Sequence, residues 1–239
     1  MIKGIYTSAT AMRQGILRQE INASNLANVG TTGFKRDRLF AKELTAAQSG
    51  SASTDPLDRD TSRWTEFSAG AYMPTSAPLD FAIQGQGFFV VSDGQNEFYT
   101  RDGHFERNAE GQLVDLQGRL VQGEGGNITV PAGLVTASSN GTISVDGTNV
   151  DRLRVVNFED PQTLQKAAGS AFAKSPQSGA DVPVENPVVR QGFLEGSNVD
   201  AVKEMVEMIS TSRNYEINAK LLTTQDDTLR QTVNDVGRV

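Results

Sequence analysis

The chain has 239 residues, a net charge of −7, 37% hydrophobic and 21% charged residues, and no cysteine. That length can bury a real core, as one large domain or two small ones. The acidic balance argues against a nucleic-acid partner, since phosphates are held mainly by Lys and Arg. The lack of thiols excludes disulfides, cysteine nucleophiles and cysteine-ligated zinc or iron–sulfur sites.

From the first residue, Ile2, Ile5, Ala9, Met12, Ile16, Gln19, Ala23 and Leu26 fall alternately three and four apart. That spacing predicts one amphipathic helix over about 2–27, with a seam of the kind used in coiled coils. Thr7, Ser8, Thr10, Arg13 and Gln14 interrupt the apolar core that a secretory leader needs. No stretch approaches the ~20 apolar residues of a membrane-spanning helix. Export would therefore need a route other than a cleaved signal. The helix runs into "ASNLANVGTTGFKR" (Ala23–Arg36), where Asn28, Gly30 and Gly33 supply helix-stop chemistry. Gly33 is expected at a positive φ, and Phe34 is expected to anchor the departing chain by burying its ring. Lys35 and Arg36 read as a solvated basic pair. "GTTGFK" lacks the spacing and the preceding strand of a phosphate-binding loop.

Residues 36–74 read as an extended connector, most polar at 46–63 ("AAQSGSASTDPLDRDTSR"). From Leu79 the pattern changes to short β runs: "LDFAI", "FFVV", "EFYT", "QLVD", "RLVQ", "NITV", "TISV" and "RLRVVNF". Glycine- and aspartate-bearing turns separate them, among them Arg101-Asp102-Gly103 and Asp146-Gly147. An all-β central domain over 75–193 follows. A second helix of about 35 residues then opens with Ser197 or Asn198 as N-cap, and Asp200 and Glu204 lie near its positive end. Its stripe runs through Met205, Met208, Ser212, Tyr215, Ala219, Leu222, Asp226, Leu229, Val233 and Val236, widened by Val202, Val206, Ile209, Ile217 and Leu221. The fold class is thus mixed α and β. Residues 1–35 and 197–239 form a discontinuous helical domain around the central β domain.

Candidate chemistry is sparse. The one histidine, His104, sits beside a turn in "TRDGHF", where a hairpin role outweighs a catalytic one. With one His and no Cys, the usual nucleophile–base pairs cannot be assembled. "GQGFFVV" enters a strand, where a dinucleotide fold requires a helix. Asp58-Arg59-Asp60 fits no metal loop. Asn127 and Asn140 stand in formal glycosylation sequons that read better as β turns. No catalytic, cofactor or metal site and no small-molecule substrate is expected.

The wider pattern resembles the rod and hook proteins of the bacterial flagellum. Ala27-Asn28 with Thr31, Gly33, Phe34 and Lys35 is similar to that family's N-terminal signature. "LDFAIQGQGFFVV", "YTRDGHF" and "GQLVDLQG" are similar to its strands and turns, and "GFLEGSNVDAVKEMVEMISTSRNYEINAKLLTTQDDTL" to its C-terminal signature. The short length resembles rod rather than hook members. "GEGGNITVPAG" and "LEGSNV" lean toward the proximal-rod branch, with the distal-rod branch a close second. The 46–63 connector matches no signature.

The resemblance implies a structural subunit that polymerises with itself and other rod proteins into the shaft carrying torque from motor to hook. It implies terminal helices packed in a coiled-coil-like inner tube and β domains outside. It also implies export through the flagellar type III apparatus without a cleaved signal, location in the periplasm-spanning basal body, and a surrounding periplasmic ring as a further neighbour. Independently of it, two apolar stripes at opposite ends of one chain need more cover than the β domain offers. Ile5, Met12, Ile16 and Leu26 on the first helix, and Met205, Met208, Tyr215, Leu222 and Leu229 on the second, are the expected packing residues. Asn28, Thr31, Gly33, Phe34 and Lys35 form the expected joint. The competing readings are an oligomeric, secreted β-rich surface-binding protein and a carbohydrate-active enzyme with paired carboxylates. Neither needs both chain ends to carry fixed motifs.

Overall fold

The computed structural model describes residues 2–41 and 61–236. Within them the chain divides into two compact units. One comprises Met1–Ala27, Asp37–Glu66 and Val199–Val239; the other comprises Asn28–Arg36 and Phe67–Asn198.

The first unit is built on two helices, α1 (Ile2–Ala27) and α2 (Ala201–Val236). α1 spans the run set by its apolar spacing. α2 begins later than expected. Its N-cap is Asp200, whose carboxylate accepts from the N–H groups of Val202 at 3.0 Å and Lys203 at 3.1 Å. Those are two of the donors a helix start leaves without internal partners. Ser197 and Asn198 precede the helix. The two helices pack on one another in opposite directions. Gly4 lies against Gln225, Gly15 against Thr211 and Tyr215, and Asn25 against Glu204, so positions rising along α1 meet positions falling along α2.

The span expected as an extended connector contains paired strands. Asp37–Ala41 runs antiparallel to Thr61–Thr65, with Asp37 opposite Thr65 and Ala41 opposite Thr61. This ribbon carries Trp64, the only tryptophan, at 39% exposure. Residues 46–60, the centre of the connector reading, lie outside the described residues.

The second unit is β-rich. Phe88–Ser92 lies inside its largest sheet, between Glu97–Thr100 and Leu120–Gly123, and also meets Val155–Asn157. Successive side chains of a strand point to opposite faces. Phe89 and Val91 accordingly enter one core with Phe81, Phe105, Val121 and Ile143. Phe88 and Val90 enter another with Tyr99, Phe158 and Phe172. A strand buried on both faces reads as an unbroken apolar run, which is why "FFVV" shows no alternation. Edge-to-face ring pairs such as Phe89–Phe105 at 5.4 Å and Tyr99–Phe158 at 4.8 Å fill these cores.

Gly103 departs from its expected role. It does not need a positive φ; it permits close approach. Phe81 N donates to Gly103 O at 3.0 Å, and a Cβ at Gly103 would lie 1.8 Å from Phe81 O.

Candidate functional site

The second unit is completed by nine residues from far upstream, Asn28–Arg36. After α1 ends, Thr31 N donates to Asn28 O at 3.1 Å and the Thr31 hydroxyl to Asn28 Oδ1 at 3.3 Å, a local bond pattern that turns the chain. Gly33, six residues past the end of α1, takes φ +67° and donates its N–H to Glu195 O at 2.7 Å, whereas Asn28 and Gly30, expected with it as helix-stop residues, are not at positive φ. A Cβ there would sit 2.2 Å from Asp102 N. Both the backbone angle and the space demand glycine.

Phe34 is buried, with Lys166 Nζ 4.2 Å from its ring centroid. The same ammonium donates to Lys35 O at 2.6 Å. The reading of Lys35 and Arg36 as a solvated pair is corrected here, since they are only 1% and 6% exposed. Lys35 Nζ donates to Glu195 Oε1 at 2.5 Å and to Ser68 O at 2.7 Å. Arg101 donates from NH1 to Glu195 Oε2 at 3.2 Å and from NH2 to Gly85 O at 2.7 Å. Gly70 N adds a bond to Glu195 Oε1 at 3.1 Å. Glu195, 0% exposed, thus stands between two cations that lie 66 positions apart in the sequence.

The flanks are held as well. Arg36 N donates to Asn198 Oδ1 at 2.7 Å, while Asn198 Nδ2 reaches Ser68 O at 3.2 Å. Asn198, an expected helix cap, therefore ties down the joint. Thr32 Oγ1 donates to Asp102 Oδ1 at 2.7 Å, and that oxygen also accepts from His104 N at 3.1 Å.

Burial pulls Lys35 below the usual lysine range; the Glu195 carboxylate opposes this and the Arg101 charge adds to it. Arg101 is likewise lowered by burial against the pull of Glu195. A lowered lysine is a common mark of a catalytic base. Here the Lys35 and Glu195 side chains are both 0% exposed, so no substrate meets them. This cluster fastens residues 28–36 to the β-rich unit.

Burial also pushes Asp102 above 3.8, against the bonds from Thr32, His104 N and Ser170 and the charge of His104. An acid raised in the folded state binds protons there at a pH where the unfolded chain does not. The native state therefore gains stability as pH falls through the raised value toward 3.8, and bears the full cost of the buried charge above it. Asp102→Asn keeps the acceptor for Thr32 and His104 and removes the charge. Urea denaturation should find this variant at least as stable as wild type at about pH 8. Its advantage should shrink as pH falls toward about 4. A variant clearly less stable at the alkaline end would show that the charge itself is needed.

His104 Nδ1 lies 2.7 Å from Asp80 Oδ1 at a side-chain exposure of 35%. It makes an isolated antiparallel bridge with Asp80, 24 positions earlier, and not a hairpin pairing.

In the first unit, Ile5, Met12, Leu26, Met208, Leu222 and Leu229 are half-buried. Ile16, Met205 and Tyr215 are exposed, at 48%, 45% and 37%. Asn25, absent from the expected packing residues, is 1% exposed. Its amide exchanges bonds with the Asp37 backbone at 2.9 and 3.0 Å and reaches Glu204 Oε2 at 3.2 Å.

Asn28 and Thr31 are half-buried, and Gly33, Phe34 and Lys35 are buried. The structure brings the joint together with Asp102, Arg101, Glu195 and Asn198, none of which the sequence assigns to it: Arg101 and Asp102 read as a turn, Asn198 as a helix cap, and Glu195 is not singled out. A signal was present: all four lie inside the quoted stretches "YTRDGHF" and "LEGSNV".

Three family descriptions match the chain. Residues 5–35 match "Flagella basal body rod protein", 82–148 match "Flagellar hook protein FlgE/F/G D1 domain", and 190–235 match "Flagellar basal body rod FlgEFG protein C-terminal". Among curated proteins, it is 37% identical over 243 positions to the flagellar basal-body rod protein FlgF of Salmonella typhimurium, covering 95% of each chain. It is 34% identical over 235 positions to FlgF of Caulobacter vibrioides, covering 95% of this chain and 96% of that one. It is 30% identical over 261 positions to the rod protein FlgG of Bacillus subtilis, covering 98% and 99%.

Proposed function

Given that this chain belongs to the flagellar basal-body rod protein family, we propose that its two helices form the polymerising part of a rod subunit and its β-rich unit an outer layer. It is a structural rod subunit and not an enzyme. The supporting observation is the apolar surface left on α2. Val202, Val206, Ile209, Ile217 and Leu221 are 67%, 61%, 56%, 58% and 48% exposed, although α1 already packs on this helix. These are the residues that widen its stripe. Each apolar side chain taken out of water is worth ~1.5–3 kcal/mol. Repeated in every subunit through a heterologous contact that does not close, such burial builds a helical tube. Coiled-coil-like packing of α1 and α2 on neighbouring subunits supplies it.

The same reading makes copies of itself and other rod proteins the partners, with the periplasmic ring around them, and makes the assembled rod the carrier of torque. It sends the chain out through the flagellar type III export apparatus without a cleaved signal. Within the family we place it with FlgF rather than FlgG. The alignments with FlgF of Caulobacter and Salmonella run 235 and 243 positions, close to the length of this 239-residue chain. Those with FlgG run from 256 to 265 positions, so gaps must be opened in this chain to accommodate the longer partners.

One complementation experiment tests the reading. In a strain lacking FlgF, the wild-type chain and His104→Ala should restore swimming, whereas Ile16→Ala and Leu222→Ala should not. Truncating a Leu or Ile at a site that becomes well packed costs ~2–5 kcal/mol, and the loss recurs in every subunit. Rods recovered from wild type and His104→Ala, but from neither helix variant, would support assembly through the helices. Normal rods from both helix variants, or loss of swimming in the control alone, would move the function to the β-rich unit. Rescue only of a strain lacking FlgG would reverse the proximal assignment.

A further inference from the structure

Residues 28–36 reach the second unit by an unusual route. The residues on both sides, Ala27 and Asp37, belong to the first unit, whereas the rest of the second unit is the single run Phe67–Asn198. Withdrawing the nine residues would break no chain connection within that run. None of them lies in a helix or strand. They are held by Glu195, Asn198, Asp102, Ser68 and Lys166, all of which belong to the continuous run.

From this arrangement we propose that residues 28–36 are a reversible strap: a peptide-like ligand carried by its own chain, docked in a groove that stays formed when the strap leaves. The groove reads four features. Thr32 meets Asp102. The site opposite Asp102 N admits only a glycine, Gly33. Lys166 covers the ring of Phe34, and Glu195 receives the Lys35 ammonium at the groove floor. When the strap departs, Glu195 keeps Arg101 and Gly70 N, so its carboxylate is not stranded. The cores around Phe89 and Phe88 contain no strap residue, so they persist without it. Opening breaks the Lys35 bonds to Glu195 and Ser68 and returns the ammonium to water. The device is independent of the rod reading and would operate in a lone subunit.

Hydrogen exchange on the full chain tests this. In wild type, the Gly33 and Arg36 amides should exchange faster than Leu113 and Ile128, whose N–H groups donate to Ile128 O and Val121 O inside the β-rich core. Lys35→Met should speed Gly33 and Arg36 about a hundredfold, the loss expected on breaking a buried ion pair, and leave Leu113 and Ile128 within about twofold. Thr32→Val, a milder lesion for use should Lys35→Met fail to fold, should give about tenfold with the same selectivity. A labelled peptide of residues 28–36, blocked at both ends, should bind the Lys35→Met chain. It should bind wild type at least about tenfold more weakly, because the tethered strap competes at high effective concentration. The same peptide with methionine in place of its lysine should bind neither. Exchange of Gly33 and Arg36 only together with Leu113 and Ile128 would overturn the proposal, as would absence of peptide binding.

Discussion

Gly33→Val should abolish swimming, and Gly33→Ala should nearly do so. The added Cβ would meet the Asp102 backbone nitrogen at 2.2 Å, and a backbone atom cannot rotate out of the way as a flexible side chain can. The φ of +67° adds a penalty that grows from Ala to the β-branched Val. Together these terms reach about 3 kcal/mol or more. The measurement is swimming alongside thermal denaturation of the purified chain. Full motility in Gly33→Val would mean that the joint can be held in another conformation. The solvated reading of Lys35 implied that losing its charge would do far less harm than changing Gly33. Its burial against Glu195 removes that contrast, so both substitutions should impair the protein.

A comparable loss is expected from Glu195→Gln. The amide has nearly the same shape but no charge, which leaves Lys35 and Arg101 buried beside each other without their anion. Breaking a buried ion cluster in this way costs about 3–5 kcal/mol. For a unit of this size that is a fall of roughly 10 °C in Tm. Adding Lys35→Met to Glu195→Gln removes one stranded cation and should recover part of the loss. The single and double variants form a mutant cycle for the pair. A Glu195→Gln chain that melts with wild type, or a double variant worse than the sum of its parts, would show that the charges are not the cluster's main contribution.

The helices were legible because their signal is periodic and local. The three-and-four spacing from Ile2 to Leu26 marks out α1, and the stripe beyond Ala201 marks α2. "EFYT" and "TISV" coincide with Glu97–Thr100 and Thr142–Val145 for the same reason. What escaped depends on pairing across long sequence separations. Lys35 beside Arg36 has the look of a solvated pair until Glu195, 160 positions away, is brought to its ammonium. Asn198 has the composition of a helix cap, but its side chain serves the Arg36 backbone while Asp200, two residues on, caps α2. The ribbon of Asp37–Ala41 with Thr61–Thr65 is a single pair of five-residue strands joined across a wide sequence gap, so tertiary support decides it. Gly33 and Phe34 were readable because a positive φ and a lone aromatic among small residues each leave a chemical trace in the sequence.

The placement of Trp64 has a practical side. Its indole belongs to the ribbon of the first unit, whereas Tyr99, fully buried, belongs to the second. One unlabelled chain thus carries two optical reporters that address different halves of its structure. Tryptophan emission follows the ribbon, and the near-ultraviolet dichroism of the packed tyrosine and phenylalanine rings follows the β-rich core. Because the indole is partly exposed, a neighbour covering it would shift its emission to the blue. Polymerisation and folding could then be read in the same cuvette as separate spectral events.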